Sequence, residues 1–68
     1  MSVAKFNQLY EEIIHSKINS SRKDWKLAEL MTEMERVFKI PISRKVAWEN
    51  ENRAVIALYR KISLSRSF

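Results

Sequence analysis

Sixty-eight residues, 46% of them hydrophobic and 31% charged, allow one small domain. They are too apolar for a disordered chain and too charged for a membrane-spanning one. Thirteen Lys and Arg against eight Asp and Glu leave a net charge of +5, which attracts nucleic acid, anionic lipid head groups or an acidic protein without choosing among them. The absence of cysteine excludes disulfides and thiolate metal sites, leaves helix packing to supply stability and favours a reducing, cytoplasmic setting. Met1-Ser2-Val3-Ala4-Lys5-Phe6 has no apolar stretch behind its lysine, and no segment reaches the roughly 20 apolar residues of a spanning helix, so neither an ordinary export signal nor membrane integration is expected.

Zero glycines and one proline argue against tightly turned sheets, whose primed turns need positive φ. In the first segment Val3, Phe6, Tyr10, Ile13, Ile14 and Ile18 recur at three- and four-residue steps behind Ser2, a candidate N-cap, and predict a helix over 3–17. Asn19, Ser20 and Ser21 interrupt the pattern. Ser21 to Asp24 resembles a capping box with Asp in place of Glu, predicting a second helix from there to Phe38. Its apolar stripe is Leu27, Leu30, Met31, Met34, Val37 and Phe38, with Trp25 at the entry and Glu29, Glu33 and Arg36 on the opposite side. Pro41 biases Ile40 away from helix and ends the segment.

Beyond Pro41, Ser43 is a candidate cap for a short turn through Val46, Ala47 and Trp48, and the polar run Glu49 to Asn52 offers another N-terminus. Val55, Leu58, Tyr59 and Ile62 then form a third stripe, with Arg60 and Lys61 near the C-terminal end, where they complement the helix dipole. The tail from Ser63 to Phe68 is expected to fray, residues 64–68 lying outside the bundle proper. The expected fold is all-α: one domain over 1–68, a small antiparallel bundle of three main helices with room for a short fourth.

Catalytic residue types do not assemble. His15 is the only histidine and reads as a surface residue, since a lone imidazole makes no metal site. The serines sit at predicted caps and in the tail instead of beside a base. Glu11 with Glu12, and Glu33 with Glu35, diverge around a helix instead of converging. Without glycine, the usual phosphate-cradling loops are excluded. No enzyme activity, cofactor or metal is therefore expected.

Binding residues are a different matter. Lys39, Arg44, Lys45 and Arg53 cluster around the proline-containing connection, while Arg60, Lys61 and Arg66 gather at the last helix and tail. Either group suits phosphates or anionic lipid, although Lys39 to Ser43 is a poor match to the turn of a helix-turn-helix. Trp25, Trp48, Tyr10 and Tyr59 could form a contact surface, Trp48 above all because it lies outside the three stripes. Self-association burying Trp25 or Trp48 would enlarge so small a core.

The segment from Ala57 to Phe68 resembles the C-terminal ends of immunity proteins against class II (pediocin-like) bacteriocins. There a leucine-rich last helix runs into an Ile-Ser pair, an arginine and a terminal aromatic, the order of Ile62, Ser63, Arg66 and Phe68. Pro41-Ile42-Ser43-Arg44 is similar to the proline and Ser-Arg step before that family's later helices. The resemblance covers about a third of the chain. It implies a cytoplasmic four-helix bundle, here with a third helix reduced to Arg44 to Glu49, peripheral to the inner membrane face. Such a protein acts at a membrane-embedded sugar-transporter receptor with bound bacteriocin, its C-terminal part selecting which bacteriocin is countered. The partner-contacting residues are then Trp48, Arg60, Lys61, Arg66 and Phe68. Leu27 to Ile42 also resembles the second helix of acyl carrier proteins, but the Asp-Ser-Leu attachment motif is missing and carriers are acidic. The competing expectation is a small nucleic-acid-binding regulator using Arg44, Lys45, Arg53 and Arg60.

Overall fold

A computed structural model describes residues 2–66 and shows a small all-α bundle. The four helices are α1 (Val3–Ile14), α2 (Ser20–Phe38), α3 (Val46–Glu51) and α4 (Arg53–Leu64). Helices α1, α2 and α4 pack on one another pairwise, whereas α3 leans on α4 alone among the described helices. Phe6 near the start of α1 meets Phe38 at the end of α2, with ring centroids 5.4 Å apart, so these helices run antiparallel. Tyr59 of α4 reaches Glu35 late in α2, and Arg66 just beyond α4 reaches Asp24 early in α2. Helix α4 therefore runs antiparallel to α2 and in the same direction as α1, which gives three long helices in up-down-up order.

The core contains Phe6 and Tyr10 from α1, Leu27, Leu30, Met31 and Met34 from α2, and Val55, Leu58 and Ile62 from α4. These are the three stripes of the sequence, and among the described residues the buried set includes no polar or charged residue apart from the Tyr10 hydroxyl. Val3, Leu9, Ile13, Ile14, Val37, Phe38, Trp48 and Tyr59 are partly buried against it.

Helix ends depart from expectation where side chains compete for backbone groups. Ser2 caps α1 as expected, its Oγ accepting the Lys5 N–H at 3.2 Å. The helix stops at Ile14 instead of Lys17, because Ser16 Oγ donates back to the Ile13 carbonyl at 2.6 Å and Lys23 Nζ to the Ile14 carbonyl at 3.1 Å. Those bonds satisfy carbonyls that another turn of helix would have used. Ile18 thus leaves the α1 stripe and belongs to the connection.

The Ser21–Asp24 capping box does not form. Asn19 caps α2 instead, its Oδ1 accepting the Arg22 N–H at 2.9 Å. Asn is as good an N-cap as Ser, and the earlier cap lengthens the helix by about half a turn. At the other end Lys39 adopts φ 55° and ψ 48°, and the Lys39 and Ile40 N–H groups both return to the Glu35 carbonyl. Glycine normally occupies this left-handed position; in a chain with none, lysine takes it, and Pro41 follows as the stop.

The short third helix spans Val46–Glu51, two residues later than Arg44 to Glu49. The run from Glu49 to Asn52 therefore closes α3, and its last residue, Asn52, is at the same time the N-cap position that opens α4. Asn52, at φ −130° and ψ 46°, breaks the two apart and donates from Nδ2 to the Trp48 carbonyl at 2.8 Å. Helix α4 continues through Leu64, and the next two residues are held: the Ser65 and Tyr10 hydroxyls lie 2.6 Å apart, and Arg66 engages Asp24. The tail expected to fray from Ser63 onward is thus helical through Leu64, with Ser65 and Arg66 bonded to α1 and α2.

Met34 is fully buried, so Met34→Ala should cost about 2–5 kcal/mol, a large share of the stability of a domain this size. Urea denaturation should show most of the population unfolded or a sharply lowered midpoint. Lys39→Gly should instead stabilise by about 0.5–1 kcal/mol, since the left-handed conformation there penalises a side chain; an unchanged or lowered midpoint would contradict the cap.

Candidate interaction faces

Exposed positions on α4 follow from which residues the core takes. With Val55, Leu58 and Ile62 turned inward, Arg53, Ala57, Arg60 and Leu64 recur at four-, three- and four-residue steps on the outer side, and all four are exposed. Leu64 is 77% exposed. Lys61 lies beside this stripe, so one helix face combines guanidinium and ammonium groups with apolar surface.

Several of these cations have intramolecular partners. Arg60 Nη2 donates to Glu49 Oε1 at 2.6 Å, and Arg44 Nε lies 3.5 Å from Glu49 Oε2. Glu49 has a side chain only 14% exposed, and it thereby holds together two arginines sixteen positions apart in sequence. Lys61 Nζ lies 3.7 Å from Glu11 Oε1 and 5.1 Å from the centroid of the Tyr10 ring. Arg66 bonds Asp24 Oδ1 through Nε at 3.1 Å and approaches Met31 Sδ at 3.8 Å. The Lys61 and Arg66 pairs, exposed on both sides, contribute about 0–1 kcal/mol each, so they orient these cations while leaving them exchangeable.

The residues expected at a partner surface are accordingly divided. Arg60 and Lys61 are exposed on α4, Arg66 is tied to α2 beside the end of α4, and Trp48 is half-buried against the core. Phe68 lies outside the described residues. Of the alternative set, Arg44 and Arg60 are brought together by Glu49, while Lys45 and Arg53 are exposed at the starts of α3 and α4. His15 is an exposed residue, its Nδ1 3.5 Å from Glu11 Oε2. Among the described residues no three His, Cys, Asp or Glu side chains gather as metal ligands would, and no helix is long and apolar enough to cross a membrane.

A second surface was not legible as a site. Between α1 and α2 lies an open groove of about 840 Å³ whose lining includes Leu9, Ile13, Ile18 and Trp25. Trp25 is 63% exposed there. In the sequence it reads as a core or dimer residue at a helix entry, and Glu29 and Glu33 as a solvated face. The available signal was the step pattern Trp25, Glu29, Thr32, which puts an unburied aromatic on one helix face with acidic and polar neighbours.

No protein-family model, curated protein or solved structure matches this chain.

Tyr59 links α4 to α2 with an unusual hydroxyl. It donates to Glu35 Oε2 at 2.6 Å, and its pKa is pushed up from 10.0 to about 12, first by partial burial, then by the bond to Glu35 and that carboxylate's charge, against a lowering effect of Arg66. The native state thus favours the protonated phenol. Its stabilisation is present below pH 10, the unfolded value, and is lost as pH rises through about 12. Ultraviolet titration should show one tyrosine ionising near the upper value, and Glu35→Gln should move it down. Titration of Tyr59 at its ordinary value would contradict the bond.

Proposed function

We propose that this chain is a stoichiometric, non-enzymatic binding protein of the bacteriocin-immunity type, acting from the cytoplasmic face of the membrane through the outer side of α4 and the residues just beyond it. The observation that carries this reading is the exposed Leu64 set among Arg60, Lys61 and Arg66, a cationic and apolar face at the end of a helix otherwise committed to the core. Its support from sequence is the order Ile62, Ser63, Arg66, Phe68. Exposed pairing holds these cations near one orientation, which lowers the ordering cost of binding. Exposed Leu64 offers the apolar area that exposed charges alone do not provide. The partner on this reading is a membrane-embedded sugar-transporter receptor with bound bacteriocin. The surface placement of the only histidine fits a protein that acts by occupancy.

A second reading is favoured by one contact. Glu49 draws Arg44 and Arg60 together, and Lys45 and Arg53 are exposed at the adjoining helix starts, as a small regulator binding nucleic-acid phosphates would require. Salt separates the two: phosphate binding weakens steeply as salt rises, because counterions released on binding must be displaced, whereas a contact anchored by Leu64 weakens little.

Expressed in sensitive Gram-positive cells and challenged with a panel of class II bacteriocins, the chain should protect selectively, and Leu64→Asp or Arg60→Glu should abolish protection while circular dichroism shows an intact fold. Protection unchanged in both variants, or against no bacteriocin while DNA or RNA is bound in a steeply salt-dependent way, would overturn the immunity reading.

A further inference from the structure

The groove between α1 and α2 lies on surfaces distinct from the α4 face. Its apolar lining comes from Leu9 and Ile13 of α1, Ile18 of the connection and Trp25, Ala28 and Leu30 of α2. Its carboxylates stand on both walls: Glu12 on α1, Glu29 and Glu33 on α2, with Lys26 the one cation among the lining residues and Arg36, outside the lining, paired to Glu33 at 2.6 Å; three carboxylates against these two cations still leave the groove net negative. In a chain of net charge +5 this is a local reversal of sign, and it coincides with an exposed tryptophan. Among the described helices α3 packs on α4 alone, so the short helix does not cover the groove.

We propose that this groove docks an amphipathic helix of a partner protein, one whose apolar stripe is flanked on both sides by lysine or arginine. The charge complement argues for that occupant. A helix seated on Leu9, Ile13 and Trp25 places its flanking positions against Glu12 on one side and Glu29 and Glu33 on the other, as the flanking charges of a paired helix do. The 12 residues of α1 make that wall about 18 Å long, which matches roughly three turns of a docked helix. Trp25 is the anchor, since exposed tryptophan that becomes buried dominates small interfaces. A second copy of this chain is the poorer occupant, because the cationic helix face it offers, the outer stripe of α4, has only Ala57 and Leu64 as apolar residues among its arginines and lacks a continuous apolar stripe.

The probe is a dye-labelled helical peptide of about 14 residues with a leucine stripe flanked by lysines, compared with the same peptide carrying glutamates. Fluorescence anisotropy should show saturable binding of the lysine peptide and none of the glutamate peptide. Trp25→Ala, and separately the triple variant Glu12→Gln, Glu29→Gln, Glu33→Gln, should each weaken it by about ten-fold or more, while Arg60→Ala leaves it unchanged. These exposed substitutions are checked for folding by thermal melting. Amide shift changes on titration should map to α1 and the first half of α2. Absence of saturable binding, equal affinity of wild type and the groove variants, or shift changes centred on α4 would overturn the proposal. So would a dimer in sedimentation that Trp25→Ala dissociates, which would assign the groove to a second copy. Retention of bacteriocin protection by the groove variants, or its loss, is read separately, since the α4 face is intact in them.

Discussion

Everything in this molecule depends on α4 closing over the α1–α2 pair. Two helices of 12 and 19 residues cannot bury Leu27, Met34 and Phe6 by themselves, and no disulfide or thiolate metal site is there to help them. Helix α4 supplies Val55, Leu58 and Ile62, and its far end is tied down where Ser65 meets Tyr10, Lys61 lies over the Tyr10 ring and Arg66 reaches Asp24. Tyr10 is the pivot: its ring is buried in the core while its hydroxyl bonds the residue after α4. The apolar burial provides most of the driving force and the polar contacts fix the register, since each exposed pair is weak on its own.

That arrangement decides which surfaces remain for partners. Placing α4 on one side of the α1–α2 pair leaves the outer face of α4 cationic, with Leu64 unburied, and leaves a groove between α1 and α2 with carboxylates on both walls. The two faces differ in sign. Arg60 and Arg44, bound to Glu49, also tie α3 and its preceding connection to α4, which gives the short helix a reason to hold its place despite its length.

Much of the fold was legible because the apolar stripes have helical spacing and the core uses them almost unchanged. Helix ends were less so. Asn19 displaced the Ser21 box because both are competent caps and position alone does not rank them. Ser16 and Lys23 ended α1 early through bonds to Ile13 and Ile14, and the Lys23 bond exists only once α2 has turned back. Lys39 in a left-handed conformation was hidden for the same kind of reason, since lysine gives no local sign of filling a glycine position. At the surface, basic residue type marked the α4 face correctly as cationic but not which cations are paired internally. The groove was illegible, because Trp25 and the α2 carboxylates acquire joint meaning only when α1 is laid beside them.

Native-state hydrogen exchange tests the closure of α4 most directly. If the three long helices form one cooperative unit, the amides of Leu58 and Ile62 exchange with the same opening free energy as those of Leu30 and Met34, within about 1 kcal/mol, and with the same denaturant dependence as global unfolding. If α4 amides open at much lower free energy while α2 stays protected, α4 is a loosely docked appendage and the α1–α2 pair does not depend on it.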